Sequence, residues 1–466
     1  MFCLKNISLG IFCLILVGCS IGPKYVKPTL PIPQVYKESG DWQKARPQDD
    51  IIRGAWWKIF NDPQLDALEE QVNISNQNIV AAQAQYDQAY ALVQAAKSSF
   101  FPILSTSGSY TRSRIASGTK GSKTTSENLL NADVSWELDL WGKIRKTIEA
   151  NKATAQASQA DLENIRLSAQ AQLAEDYFQL CSLDAQRKLL DDTIVIYKKF
   201  LTLTQNQYAS GVAAESNVIQ AKTQLEGTEA QAIDVGVQRA EMEHAIALLI
   251  GKAASDFSLP ALTLPTSVPV VPTGLPSELL ERRPDIAAAE RTVKAANALI
   301  GVAESAYFPT LTLSASASAG SSDLSRIFSS PNPLWSVGPA LAETIFDAGL
   351  RQAQTTQAKA TYALDVANYR ETVLTAFEQV ENNLSALRIL EQEEQIQDEA
   401  VADAQKAVTL ETNQYEAGTV SALDVITTQA TALNNERTDV TLLGERFNAC
   451  VLLIQYLGGG WDFSDS

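Results

Sequence analysis

Apolar positions along this chain follow two periods, and the switch between them marks the elements. Val366, Tyr369, Val373, Phe377, Val380, Leu384 and Leu387 advance in steps of three and four, and so do Leu162, Ile165, Ala169, Leu173, Tyr177 and Leu180. That spacing predicts one apolar stripe on each of two long helices, joined in a seam of coiled-coil type. The other helical positions are crowded with Ala, Ser, Thr and Gln, small enough for neighbours to approach on more than one side, as in a curved wall. Three other runs alternate with period two: Ser105-Thr-Ser-Gly-Ser-Tyr-Thr, Asn131-Ala-Asp-Val-Ser-Trp-Glu-Leu-Asp-Leu and Thr310-Leu-Thr-Leu-Ser-Ala-Ser-Ala-Ser-Ala. These read as strands whose two faces differ by size more than by polarity.

The pattern occurs twice, the second copy beginning 207 positions after the first. Residues 78–102 align without a gap on 285–309 with ten identities in twenty-five positions, among them Phe101/Phe308 and Pro102/Pro309. The same offset pairs Gly142 with Gly349, Tyr208 with Tyr415, Gly211 with Gly418, Val218 with Val425 and Gly251 with Gly458. A register kept this long means two copies of one large supersecondary unit, not a solenoid of small repeats. Each half reads as a short helix, two strands, a long helix, a turn and a returning helix. The segment from Gly142 to Gln207 would be about 100 Å long as a helix rising 1.5 Å per residue. The segments 76–101 and 212–251 together span as many positions as 142–207, so stacked end to end they are expected to match the long helix.

Equal gaps, Pro102 to Gly142 and Pro309 to Gly349, hold the strands. Two strands fit each gap, since about 9–11 residues cross a membrane as a tilted strand. Four strands cannot close a barrel, and an open sheet cannot stand in lipid. Strands in a membrane therefore require several chains to share one barrel; the alternative is a pair of soluble hairpins packed on the helices.

Composition removes several function classes. His244 is the single histidine, which leaves little room for a His-based metal site or a Ser–His triad. The net charge of −17 speaks against nucleic acid. No Walker loop, dinucleotide-binding glycine pattern or metal-ligand cluster is present, and an enzyme has almost no support in these residues. The N-terminus is a targeting segment: Lys5, an apolar stretch over 7–17, then Leu16-Val17-Gly18-Cys19. Cys181 and Cys450 are either two buried thiols, the favoured reading, or a disulfide if the compartment is oxidising.

Leu16-Val17-Gly18-Cys19 resembles a bacterial lipobox, which implies cleavage before Cys19 and lipid, a diacylglycerol and an acyl chain such as palmitate, on that residue. Ser20, in the place where Asp would retain the lipoprotein, implies sorting to the outer membrane. Beyond it stand Gly22-Pro23-Lys24-Tyr25, Trp56-Trp57-Lys58-Ile59-Phe60-Asn61-Asp62-Pro63, Trp136-Glu137-Leu138-Asp139-Leu140-Trp141-Gly142, Leu280-Glu281-Arg282-Arg283-Pro284-Asp285-Ile286 and Ile345-Phe346-Asp347-Ala348-Gly349. Together they resemble the outer membrane factor family (TolC-like), in its NodT-type branch of RND efflux outer membrane lipoproteins. The resemblance implies an α+β membrane protein, a homotrimer with four strands per chain in a shared twelve-stranded β-barrel, continued by a long α-helical periplasmic barrel. It also implies an equatorial belt, here 41–75, 252–277 and the C-terminal tail.

The expected organisation is a signal peptide at 1–18 and a lipidated N-terminal segment with an equatorial part at 19–75. The first repeat, 76–251, carries a β-hairpin at 102–141 and a tip near 208–217. A linker at 252–282 leads to the second repeat, 283–458, with a hairpin at 309–348 and a tip near 415–424; 459–466 is a tail. The expected function is an outer-membrane exit duct of a tripartite efflux pump, lipid-anchored in a Gram-negative bacterium and extending into the periplasm. It would conduct small molecules such as drugs passively, without a cofactor. Its partners are a periplasmic adaptor and an inner-membrane RND-type pump, which supplies the energy. Service to a type I protein-secretion system is the alternative within that class, and a structural coiled-coil lipoprotein the alternative outside it.

The resemblance assigns adaptor docking to the tips, here Gly211, Val212, Gly418 and Thr419. It assigns a periplasmic gate to Asp424; Asn217, its repeat equivalent, and Tyr415 are the candidate partners that keep the tip closed. Ser421-Ala-Leu-Asp424 also has the spacing of a helix capping box, so the residues alone leave Asp424 as gate or as cap.

Overall fold

The computed structural model describes residues 21–33, 35–38, 54–116, 122–271, 282–329 and 334–459. Cys19 and the signal peptide, the loop around Gly118, 41–53, 272–277 and 460–466 lie outside the described residues.

Among the described residues, seven helices and four strands run in the order α1 (Pro63–Ser75), α2 (Gln77–Ser98), β1 (Ile103–Ala116), β2 (Ser122–Leu138), α3 (Lys143–Ala209), α4 (Glu215–Leu249), α5 (Pro284–Ser305), β3 (Thr310–Ser321), β4 (Leu334–Ala342), α6 (Leu350–Glu416) and α7 (Ala422–Tyr456). Both ends of α2, α3 and α4 recur at the repeat offset in α5, α6 and α7, giving lengths of 22, 67 and 35 residues twice. The strands repeat less closely: β1 and β3 start at equivalent positions, but the second pair has 12 and 9 residues against 14 and 17, with a 3-10 turn at Leu324–Ser329 between its members.

The expected equality of helix lengths does not hold. The two shorter helices have 22 and 35 residues, together fewer than the 67 of the long one. Turns take the difference. After Ser98 the amides of Ser99, Phe100 and Phe101 each bond three residues back, which ends α2 before Pro102, and an extended Ala214 delays the start of α4 to Glu215.

The chain forms two compact units, each drawing on both repeats. The first takes Met1–Thr29, Gln85–Gln159 and Ala288–Arg370. It holds the antiparallel sheet, ordered β1-β2-β3-β4, and a small core in which Ala89, Val93 and Ala155 meet. Its N-terminal segment lies along α5: the Tyr25 hydroxyl donates to the Glu290 carboxylate, and Asn297 Nδ2 donates to Pro23 O at 3.2 Å. The Ile21 amide donates to Trp141 O at 3.1 Å.

The second unit comprises Leu30–Ala84, Ala160–Ala287 and Glu371–Ser466 and contains the main core. Phe178 stacks on Phe447 with centroids 4.6 Å apart, and Phe60 leans on both. Around them the stripes expected from the spacing come together: Leu162, Leu173, Tyr177, Leu180, Val380 and Leu384 are buried, with Ile165 and Phe377 partly so. Burial of such large apolar surface is the main favourable term in folding. Cys181 and Cys450 are both buried here as free thiols, and burial pushes the Cys450 thiol up to about 12.

Local signals start and stop the elements. The Asp62 carboxylate accepts the Gln64 and Leu65 amides at 2.9 and 3.2 Å, capping α1 ahead of Pro63. Gly251 and Gly458, at equivalent helix ends, have φ of +70° and +97°. A Cβ there would lie 2.4 Å from Ser75 O or 2.5 Å from Arg282 O, so neither position admits a side chain.

Behind α4, the segment 254–271 is fastened by charge. Arg239 Nε donates to Asp184 at 2.7 Å, while the other Asp184 oxygen accepts the Leu262 amide at 2.8 Å. Glu243 accepts the Leu259 amide, and Arg239 Nη2 donates to Leu259 O at 2.9 Å.

Candidate functional site: the helix tips and the strand sheet

Two turns in the second unit reverse the long helices, and they are built alike. At the first, the Gly211 amide donates to Tyr208 O and the Val212 amide to Gln207 O, each at 2.9 Å. At the second, the Gly418 amide donates to Tyr415 O and the Thr419 amide to Gln414 O, again at 2.9 Å. This paired bonding is the Schellman motif, which requires the left-handed conformation at its glycine. Gly211 and Gly418 take it with φ of +73° and +79°, and the space beside each is open. Val212 is 78% exposed, and Thr419 is exposed as well, so both tips present side chains that nothing among the described residues covers.

The helices that leave the two turns start differently. Ser421 caps α7 through a complete capping box: Asp424 Oδ2 accepts the Ser421 amide at 2.9 Å and the Ser421 hydroxyl at 2.7 Å, while the Asp424 amide returns to Ser421 Oγ. The Ser421 hydroxyl, and after it the Ser421 amide, hold the Asp424 carboxyl below the usual carboxylate range. At the equivalent place α4 is preceded by Ala214, whose side chain can cap nothing, and Asn217 stands where Asp424 stands.

Of the three residues expected at the gate, none meets another within one chain among the described residues. Asp424 is held by Ser421. The Tyr415 hydroxyl donates to Gln207 Oε1 at 3.0 Å, and its ring lies 5.3 Å from that of Phe200. Asn217 Oδ1 faces the Ser216 hydroxyl at 3.5 Å. Tyr415 therefore clasps the end of α6 to the end of α3. Gln207 was not legible as its partner, because 208 positions separate the two.

The sheet in the first unit has two chemically different faces, sorted by its register. Leu104 pairs with Val134, Val134 with Ala315 and Ala315 with Val337; Trp136 pairs with Leu313. These positions make one apolar face. Ser105 pairs with Asp133, Asp133 with Ser316 and Ser316 with Ser336 on the other. Serines and threonines dominate that second face, where Ser316 and Ser336 hydroxyls bond at 2.8 Å and Ser113 and Thr125 at 3.1 Å. The contrast is one of polarity, not of size alone: register brings together polar positions that are scattered along the chain. At the strand ends nearest the helices Trp141 stacks on Phe308, centroids 4.9 Å apart, and donates to Pro309 O at 2.8 Å.

An alternating apolar and polar sheet, its outer strands unpaired among the described residues, in a chain that also builds paired helical hairpins defines a class: outer-membrane channels whose barrel is shared between chains. The family model described as "Outer membrane efflux protein" matches residues 68–252 and again 275–459, at the same offset as the repeat. The chain belongs to this family. It is 30% identical to "Probable efflux pump outer membrane protein TtgC" of Pseudomonas putida over 464 residues, covering 98% of this chain and 95% of that protein. It is also 30% identical to "Pyoverdine export outer membrane protein OpmQ" of Pseudomonas aeruginosa over 467 residues, 98% and 97% of the two chains. Among solved structures it is similar to the outer-membrane channel OprN, with a TM-score of 0.88 at 29% identity over 95% of this chain and all of that one.

The fold is thus that of the trimeric channels, four strands per chain in a common barrel of twelve. The protein is an outer-membrane component of tripartite efflux systems, working with an adaptor and an inner-membrane pump. A coiled-coil stalk accounts for neither the sheet nor this kinship.

Proposed function

We propose that the trimer is a passive exit duct, through which small molecules handed over by an RND-type pump and its adaptor leave the cell. The observation that carries this reading is the division of the sheet: its apolar face suits lipid, and its Ser- and Thr-rich face suits a water-filled lumen. No bond is made or broken in the duct, so the chain acts as a conduit and not as an enzyme, and its energy comes from the pump. The names of relatives speak of toluene, antibiotics and pyoverdine. A wide, hydroxyl-lined passage selects weakly, which fits drug-like small molecules as the cargo here.

Three finer assignments belong to this reading. Cys19 carries a diacylglycerol and an acyl chain that tether the N-terminus to the outer membrane, each buried CH₂ adding about 0.8 kcal/mol. Gly211, Val212, Gly418 and Thr419 meet the adaptor's hairpin. Three copies of Asp424 form an acidic ring near the closed periplasmic end, with Tyr415 and Asn217 holding the tips shut. Like charges so close repel and favour bound cations or protonation.

Recording from purified trimer in planar bilayers tests the duct: discrete single-channel conductance is expected, and an intact trimer that never conducts would overturn it. Cys19→Ser behind a cleavable signal peptide should still crosslink as a trimer, because the seams bury far more apolar surface than the anchor does.

A further inference from the structure

The strand register carries information beyond the two faces. On β1 the positions sharing the apolar face are Leu104, Thr106, Gly108 and Tyr110, followed by Arg112 and Arg114. Their partners on β2 are Val134, Ala132, Leu130 and Asn128, followed by Ser126 and Thr124. Polarity thus changes abruptly at the Tyr110–Asn128 rung, and beyond it the lipid-side face bears two guanidinium groups among hydroxyls. The side-chain bonds place these residues on that face as well: Tyr110 donates to Ser126 Oγ at 3.4 Å, and Arg114 Nε to Ser122 Oγ at 2.6 Å. Both arginines are exposed, and among the described residues neither has a carboxylate partner.

Depth along the strand gives the site its setting. On β2 the apolar face runs from Leu138 to Leu130, or about 20 Å of bilayer depth for a strand tilted by about 40°. Ser126, opposite Arg112, lies about 30 Å from Leu138 on the same scale, beyond an apolar band about 25 Å tall. The Ala116–Ser122 rung lies at the opposite end of the strands from Pro102 and Gly142, where the helices attach, so this level is the outer leaflet's headgroup zone. A charge facing lipid costs least there. A guanidinium there presents a fork of donors that matches a phosphate.

We propose that Arg112 and Arg114, with the hydroxyls of Ser126 and Thr124, form a binding site for a phosphate group of the anionic glycolipid in the outer leaflet. The site rests on the barrel reading above. Arg114 keeps Nε on Ser122, and Arg112 stands two residues nearer the apolar band on the same face. The glycolipid's acyl chains then lie along Tyr110, Leu130 and Leu104, so one molecule satisfies both the charged and the apolar part of the face. Three copies per trimer give three such sites.

The test uses full-length trimer in non-ionic detergent, with diphosphorylated lipid A as probe and native mass spectrometry as readout. Parallel arms use lipid A with its phosphates removed, phosphatidylglycerol and inorganic phosphate. Wild type should retain diphosphorylated lipid A about tenfold or more over the dephosphorylated form and over phosphatidylglycerol. Arg112→Gln with Arg114→Gln should erase that preference while trimer content and single-channel conductance stay unchanged. Equal retention by this variant, or equal binding of the dephosphorylated lipid, would overturn the site. Phosphatidylglycerol or inorganic phosphate competing as well as lipid A would overturn the glycolipid as occupant. Should the glutamine variant fail to assemble, Arg112→Lys with Arg114→Lys keeps the charge without the fork and should lose most of the preference; wild-type retention there overturns the proposal. A trimer that conducts but shows no lipid preference sinks only this site, whereas one that never conducts sinks the duct.

Discussion

Arg283 donates from Nη1 to the Tyr456 carbonyl oxygen at 3.1 Å and lies over the Tyr456 ring, 5.7 Å from its centroid. It thereby satisfies a carbonyl at the end of α7 that the helix itself leaves unpaired. One repeat earlier in the chain's numbering, Asn76 Nδ2 donates to Leu249 O at 2.8 Å at the end of α4. The two repeats thus solve one problem with different side chains. Arg283 also bonds Asp285 and Gln379, whereas Asn76 Oδ1 accepts the Asn78 and Ile79 amides and caps α2.

Both residues are buried, so their loss should cost stability. Arg283→Gln is expected to destabilise by about 1.5–3 kcal/mol, the range for hydrogen bonds to charged groups, and Asn76→Ala by about 1–3 kcal/mol. Denaturant unfolding followed by circular dichroism measures both. Midpoints equal to wild type would mean that neither carbonyl depends on its cap.

The tips invite a substitution that separates docking from folding. A Cβ at Gly211 or Gly418 meets the left-handed conformation but no atom within 4 Å, so the main cost is about 1–2 kcal/mol of backbone strain. Gly211→Trp with Gly418→Trp should leave trimer yield near normal and abolish efflux in a drug-susceptibility complementation assay. Wild-type efflux would remove the tips from the docking surface.

Asp424 can serve as cap and as gate, and electrical recording separates the roles. Asp424→Ala should alter cation selectivity and divalent-cation block of single channels, whereas Ser421→Ala, which removes the hydroxyl and keeps the carboxylate, should leave block in place. The carboxyl is held below its usual range. Its charge, and the stability its bonds contribute, are therefore present above the unfolded value of about 3.9 and vanish only as pH falls through the lower folded value. Block and selectivity unchanged in Asp424→Ala would sink the gate.

Glu69 has the opposite sign. It is fully buried on α1, with both carboxylate oxygens lacking a hydrogen-bond partner among the described residues. Burial, and after it the charge of Asp66, raises its carboxyl well above the ordinary value. Its contribution to stability is complete below the unfolded value of about 4.3 and is lost as pH rises towards the folded value. Glu69→Gln should therefore raise the melting temperature at pH 7 and flatten its fall between pH 5 and pH 7. A lower melting temperature at pH 7 would show that Glu69 is charged and paired in the trimer.

Local rules made much of this chain legible. The steps of three and four through Val380 and Leu384, the prolines at 102 and 309, and the glycines at 211 and 418 act over a turn or two of backbone. They mark helices, strands and reversals without knowledge of the chain's path. The capping box at Ser421 and Asp424 was readable for the same reason, since its two members stand within one helical turn.

What the tertiary structure decided depends on residues far apart in sequence. Leu104, Val134, Ala315 and Val337 form one face only after β2 pairs with β1 and β3, and a slip of one residue would exchange the lipid face for the lumen. The clasp of Tyr415 on Gln207 and the cap of Arg283 on Tyr456 join positions 208 and 173 residues apart. Periodicity reports which residues share a face of their own element. Which groups meet across elements is set by how the elements pack, and no local pattern encodes that.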